Sequence, residues 1–142
     1  MKRLLILLPV ILCCVLAYSC NGRDNGEGIK FFKGTWAEAQ AKAKAEHKPI
    51  LLDIYASWCG PCKMLKKETF TDKSVGDYFN ANYICVSVDG EKGEGPGLAQ
   101  QYHISGYPML IVVNKDGGLV NLQVGFVPAD ELLEFGKKSY RN

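Results

Sequence analysis

The chain is predicted to be a single α/β domain built on a central mixed, mostly parallel sheet of about four to five strands, with helices on both faces. Three observations lead there. Short apolar runs suited to buried strands (ILLDIYA, YICVSVD and MLIVV) are separated by stretches with helical signals, and such alternation implies parallel pairing. NKDGG followed by LVNLQVG predicts a closing hairpin that adds an antiparallel edge. The length, 142 residues, suits one domain of ordinary size.

The elements follow in order. Thr35 with Glu38 three residues on forms a capping-box pattern. It opens the Ala-rich helix TWAEAQAKAKAEH, which ends near His47 and Lys48, with Pro49 as a stop. PILLDIYA is the first strand, and WCGPCKMLKKETF leads from a loop into a helix. Asp72 caps a short helix through DKSVGDYFN. YICVSVD, residues 83–89, is the second strand, and GEKGEGPG a flexible loop. GLAQQYHI is a short helix, MLIVV the third strand and LVNLQVG the fourth. Pro128 opens a last helix, PADELLEFGKKSY, whose Leu132, Leu133 and Tyr140 can face the sheet.

Composition narrows the function. Hydrophobic residues make up 47% of the chain and charged residues 23%, as in a soluble globular domain. A net charge of +2, with no basic stripe interleaved with aromatics, argues against nucleic acid as a partner.

The N-terminus reads as an address. Lys2 and Arg3 precede an apolar run from Leu4 to Leu16, then small or polar residues: the layout of a signal peptide, assigned to 1–19. The run is shorter than the roughly 20 residues a spanning helix needs. AYSC resembles a lipobox, with Tyr18 unusual for it, and makes Cys20 a lipidation candidate. Residues 20–30 read as a flexible tether and 31–142 as the folded domain. The expected location is the cell envelope on the periplasmic side, as a membrane-anchored lipoprotein or otherwise as a soluble periplasmic protein.

The chemistry centres on Cys59 and Cys62, separated by Gly60 and Pro61 where a strand gives way to a helix. Open α/β sheets place their sites at such ends. A helix N-terminus stabilises a thiolate, so Cys59, read as the more exposed thiol, is the candidate nucleophile. Cys62, one turn on, is the candidate to resolve a mixed disulfide. Pro61 sits where its missing N–H costs little. Asp53, inside an apolar strand, is either a buried acid/base acting toward Cys62 or a surface residue at a frayed end; its apolar neighbours favour the first. Trp58 either forms docking surface or simply packs. Tyr107-Pro108 precedes a strand, where a cis bond would free backbone groups of Tyr107 to pair with an extended peptide, although cis X-Pro bonds are uncommon, about 5–6%. A CxxC pair supplies two of the four ligands of a structural zinc, and His47, His103 and Cys85 lie at no ligand spacing, so no metal or other cofactor is expected. Cys85 reads as a small core residue.

ILLDIYASWCGPCK, SGYPMLIVVNKDG and the terminal amphipathic helix together resemble the thioredoxin family, over about residues 31–140. The resemblance implies a thioredoxin-like fold, Cys59 as nucleophile, Cys62 as resolving thiol, Asp53 as buried acid/base and a cis bond before Pro108. Trp58, Gly60, Pro61, Tyr107 and Pro108 become the candidate client-binding residues. Tyr55 and Tyr107 depart from the common pattern, and Cys85 stands where bacterial thioredoxins place a lysine near the buried Asp, so Asp53 is expected to titrate differently. KKETFTDKSV and the loop 90–97 are more similar to the C-terminal domain of membrane thiol:disulfide interchange proteins.

The expected activity is reduction of protein disulfides by dithiol–disulfide exchange. Gly60 and Pro61 add no charge between the cysteines, and thioredoxin, with this motif, lies near about −270 mV against about −120 mV for the oxidant DsbA. A reductant outside the cytosol implies a membrane thiol donor as well as disulfide-bearing clients. The alternatives are a disulfide oxidase or isomerase, or a redox-silent or metal-binding module on the same fold.

Overall fold

The computed structural model describes residues 28–141. The proposed signal peptide and Cys20 lie outside the described residues. Helix α1 spans Trp36–Glu46, β1 Ile50–Tyr55, α2 Gly60–Met64, α3 Lys73–Asn82, β2 Ile84–Asp89, α4 Gly95–Gln101, β3 Met109–Val113, β4 Leu119–Val124 and α5 Ala129–Tyr140. A π-helical turn, Leu65–Thr69, continues α2.

The strand order is β2-β1-β3-β4. The sheet is mixed as expected, but antiparallel pairing outweighs parallel. β1 pairs with β2 in parallel, while β1–β3 and β3–β4 are antiparallel. The reason lies in α4. Its seven residues span about 10 Å, roughly half the length of a six-residue strand. With its flanking loops it leaves the chain at the end of the sheet where β2 stopped, and β3 starts there, antiparallel to β1.

Side-chain alternation divides the core into two layers. Ile50, Leu52, Ile54, Met109 and Ile111 face one side and pack against Ala39 and Ala43 of α1, Leu98 of α4 and Tyr102 at its C-terminal end. Leu51, Cys85, Leu110 and Val112 face the other and meet Leu65, Val75 and Phe79, with Leu132 of α5. Coverage of both faces explains why β3 reads as an unbroken apolar run and β1 as one interrupted only by Asp53. It also means that any polar residue in β1 must be buried.

The caps behave as their residues dictate. The Thr35 hydroxyl accepts from Glu38 N–H at 3.2 Å, and the Glu38 carboxylate accepts from Thr35 N–H at 2.7 Å. Asp72 accepts from Val75 N–H at 3.0 Å. Two boundaries move. The segment read as tether runs to residue 30, yet Ile29 N–H donates to Phe70 C=O at 2.7 Å, and Asn80 holds both Gly28 C=O and Lys30 N–H. Gly76 permits this docking, since a Cβ there would stand 2.4 Å from the Gly28 carbonyl oxygen. Helix α4 starts at Gly95, inside the stretch read as a flexible loop, because Pro96 suits a first turn and Gly95 tucks under Asp89, where a Cβ would meet the carbonyl oxygen at 1.8 Å.

Candidate functional site

Cys59 and Cys62 sit where β1 hands over to α2, and they are joined by a disulfide with Cα atoms 5.3 Å apart. Cys59 is the N-cap residue of α2, and its sulfur accepts a hydrogen bond from Cys62 N–H at 3.2 Å. This donor and the helix end stabilise negative charge on Cys59 Sγ once the disulfide opens. Exposure does not separate the two sulfurs as expected: Cys59 is 3% exposed and Cys62 2%. In the disulfide state Ala56, Tyr55 and Tyr107 close around both. What distinguishes Cys59 is its cap position and its N–H donor.

Asp53 is 1% exposed. It lies in β1 two residues from Leu51, on the face that packs against Leu65. Its Oδ2 accepts from the Ser87 hydroxyl at 2.7 Å, while Oδ1 is buried without a hydrogen-bond partner. Burial pushes its carboxyl up to about 6, opposed by the Ser87 hydrogen bond and the positive charge of Lys66. Ser87 is not singled out by the sequence alone. Strand register pairs Asp53 with Ser87 and Leu51 with Cys85. ILLD and ICVS each carry their polar residue in fourth place, and that match was the available signal.

Cys85 is a free, buried thiol in the core beneath α3, and burial pushes it well above the ordinary thiol range. His47 caps α1 and His103 follows the cap of α4, both in left-handed backbone conformations. The rim of the site is aromatic. Trp58 is 67% exposed and stands edge-on to Tyr107, ring centroids 6.1 Å apart. Its indole N–H donates to both carboxylate oxygens of Glu91 at 3.1 Å, which fixes the ring beside the disulfide. Glu91, a second residue the sequence did not single out, sits in the loop after β2. Gly90 makes room for Tyr107, whose ring would lie 2.6 Å from a Cβ there. The Tyr107–Pro108 bond is cis, and Gly60 is open to solvent on its Cβ side. The arrangement can exchange thiols with an incoming disulfide over a rim made by Trp58 and Tyr107, with Pro108, the next residue in the chain, buried.

Comparison with known proteins agrees with this chemistry. The model of the thioredoxin-like domain family matches residues 36–139. Thioredoxin from Staphylococcus epidermidis is 39% identical over 93 residues, covering 65% of this chain and 83% of its own. The solution structure of a candidate disulphide-isomerase from Bacteroides thetaiotaomicron superposes with a TM-score of 0.71 at 39% identity, over 80% of this chain and 94% of that one. The oxidised C-terminal domain of DsbD from Neisseria meningitidis gives 0.64 at 30% identity, over 78% and 99%. With a redox-capable cysteine pair at the sheet's end and these relatives, the chain belongs to the thioredoxin-like family of thiol–disulfide oxidoreductases.

Proposed function

We propose that the protein is an envelope reductase of protein disulfides. The observation that carries this reading is the Cys59–Cys62 disulfide at a helix start, with a donor on Cys59 Sγ and a buried carboxyl in the strand behind. In the dithiol form, Cys59 thiolate attacks a client disulfide, forming a mixed disulfide and releasing one client thiol. Cys62 loses its proton to Asp53, directly or through a water, and attacks Cys59 Sγ. The second client thiol leaves, and the Cys59–Cys62 disulfide forms with two electrons passed to the client. Trp58, Gly60, Pro61, Tyr107 and Pro108 receive the client backbone.

The reducing direction is supported by the uncharged Gly60-Pro61 spacer and by likeness to thioredoxin. The envelope location is supported by the signal-like residues 1–19, by Cys20 and by likeness to the DsbD C-terminal domain. A membrane thiol donor then regenerates the dithiol. A Cys62→Ser variant should retain clients as mixed disulfides on Cys59; release as fast as from the parent would remove Cys62 from the cycle.

The direction is tested by the reduction potential of the couple, measured on the chain without residues 1–19 in glutathione or dithiothreitol buffers, with Cys59→Ser as control. A potential of about −250 mV or lower fits the reductase. A potential above about −180 mV would reassign the protein as an isomerase or oxidase, the reading favoured by its likeness to the Bacteroides candidate isomerase.

A further inference from the structure

Beyond Met64 the helix that carries the cysteines changes type. Leu65–Thr69 form a π-helical turn, closed by Phe70 N–H donating to Leu65 C=O at 2.9 Å. Such turns occur often at functional sites. This one carries Lys66, four residues past Cys62 and so one turn along the same side. The Lys66 ammonium stands 3.0 Å from the centroid of the Tyr55 ring, well inside the roughly 6 Å range of cation–π attraction. Tyr55 is itself part of the shell around the two cysteines.

From that perch the ammonium acts on two carboxylates, buried Asp53 and Asp89 at the end of β2. Much of the Lys66 side chain stays accessible, yet desolvation at the ammonium is strong enough to pull its pKa down against both carboxylates. A charge pair partly removed from water interacts more strongly than one in bulk solvent. The groups around Asp53 are few. Ser87 donates to it from β2, with the Cys85 thiol two residues away on the same face, and the charge of Lys66 acts on it from the helical segment. Asp89 has a second cation, Lys92, at 3.6 Å and accepts from Glu91 N–H.

We propose that Lys66 is a positioning residue for proton transfer at Cys62: its ammonium, held over Tyr55 on the π turn, keeps Asp53 in the carboxylate form that can accept the Cys62 proton. The proposal rests on the reading of Asp53 as that acceptor. Burial alone drives Asp53 toward the neutral acid, which has no basic oxygen to offer. A cation on the turn after Cys62 opposes this without entering the thiol chemistry. In the step, the Cys62 S–H proton passes to Asp53, the thiolate sulfur bonds to Cys59 Sγ, and the Cys59–client S–S bond breaks with the electron pair leaving on the client sulfur.

The test compares the chain without residues 1–19 with its Lys66→Met, Lys66→Arg and Asp53→Asn variants. Two quantities are followed against pH: the carboxyl carbon resonance of Asp53, and the rate of release from a preformed mixed disulfide on Cys59. Lys66→Met keeps the apolar stem and loses the charge. It should move both midpoints upward and slow release at pH 7 by roughly two- to fivefold, with the loss recovered at higher pH. Lys66→Arg should restore the parent midpoints, because a guanidinium also stacks on Tyr55. If Lys66→Met leaves both midpoints in place, or Lys66→Arg shifts them as far as Met does, the role of Lys66 is overturned while Asp53 keeps its own. If Asp53→Asn leaves the pH profile of release unaltered, the acceptor reading falls, and the Lys66 proposal with it.

Discussion

Asp53 shows how one residue couples stability to function. Its carboxyl titrates near 6 in the folded chain against an ordinary value of 3.8. Between about pH 4 and pH 6 the folded chain therefore holds a proton that the unfolded chain has released. Stability falls as pH rises through that window and levels off above it. Two pKa units correspond to on the order of 3 kcal/mol. Asp53→Asn should accordingly raise stability at pH 7.5, by up to that amount, in urea denaturation, and the gain should vanish near pH 4. A gain that is the same at both pH values would show that the carboxyl is not the titrating burden. Asp53 was identifiable from the sequence because a single acid interrupts an apolar strand. Ser87 and Lys66 were not, since serine and lysine are ordinary residues at a strand and on a helix, and only the Ser87 hydrogen bond to Asp53 and the Lys66 charge acting on it give them meaning.

At the scale of the element, the helical segment 60–69 is where local sequence and observed structure part. WCGPCKMLKKETF predicts a helix, and a helix forms. The π turn at its end has no signature in propensity; it forms where the tertiary contacts of Thr69 and Phe70 are made. Thr69 is buried, and its hydroxyl donates to Val127 C=O at 2.6 Å, tying the turn to the segment that leads into α5. Thr69→Val keeps the shape and leaves that carbonyl unpaired in the core, an expected loss of about 1–3 kcal/mol. It should appear as a lower urea midpoint at unchanged slope. A midpoint equal to the parent's would show that the bond contributes nothing net. Thr35 and Asp72 tell the opposite story: their caps depend on residues three apart in sequence, and both were readable in advance.

For the molecule as a whole, β1, which leads to the site, and β3 lie at the centre of the sheet with both faces covered. Amide hydrogen exchange should be slowest in β1 and β3 and faster in β4, an edge strand with Leu119, Leu122 and Val124 exposed. Exchange in β1 as fast as in β4 would mean that the strand leading to Cys59 opens locally rather than with the whole fold.

The order of the elements, their caps, the burial of Asp53 and the cysteine pair at a strand-to-helix junction all follow from patterns a few residues long. Periodicity, capping and the cost of burying charge act at that range, so the one-dimensional chain carries them. The antiparallel β1–β3 pairing depends on where the connection through α4 brings the chain back to the sheet. The Ser87 partner depends on strand register, the Trp58–Glu91 bond on residues 33 apart, and the place of Lys66 on a π turn. Each of these is a through-space relation between separate segments, and no local propensity specifies it; packing the two layers against the sheet does.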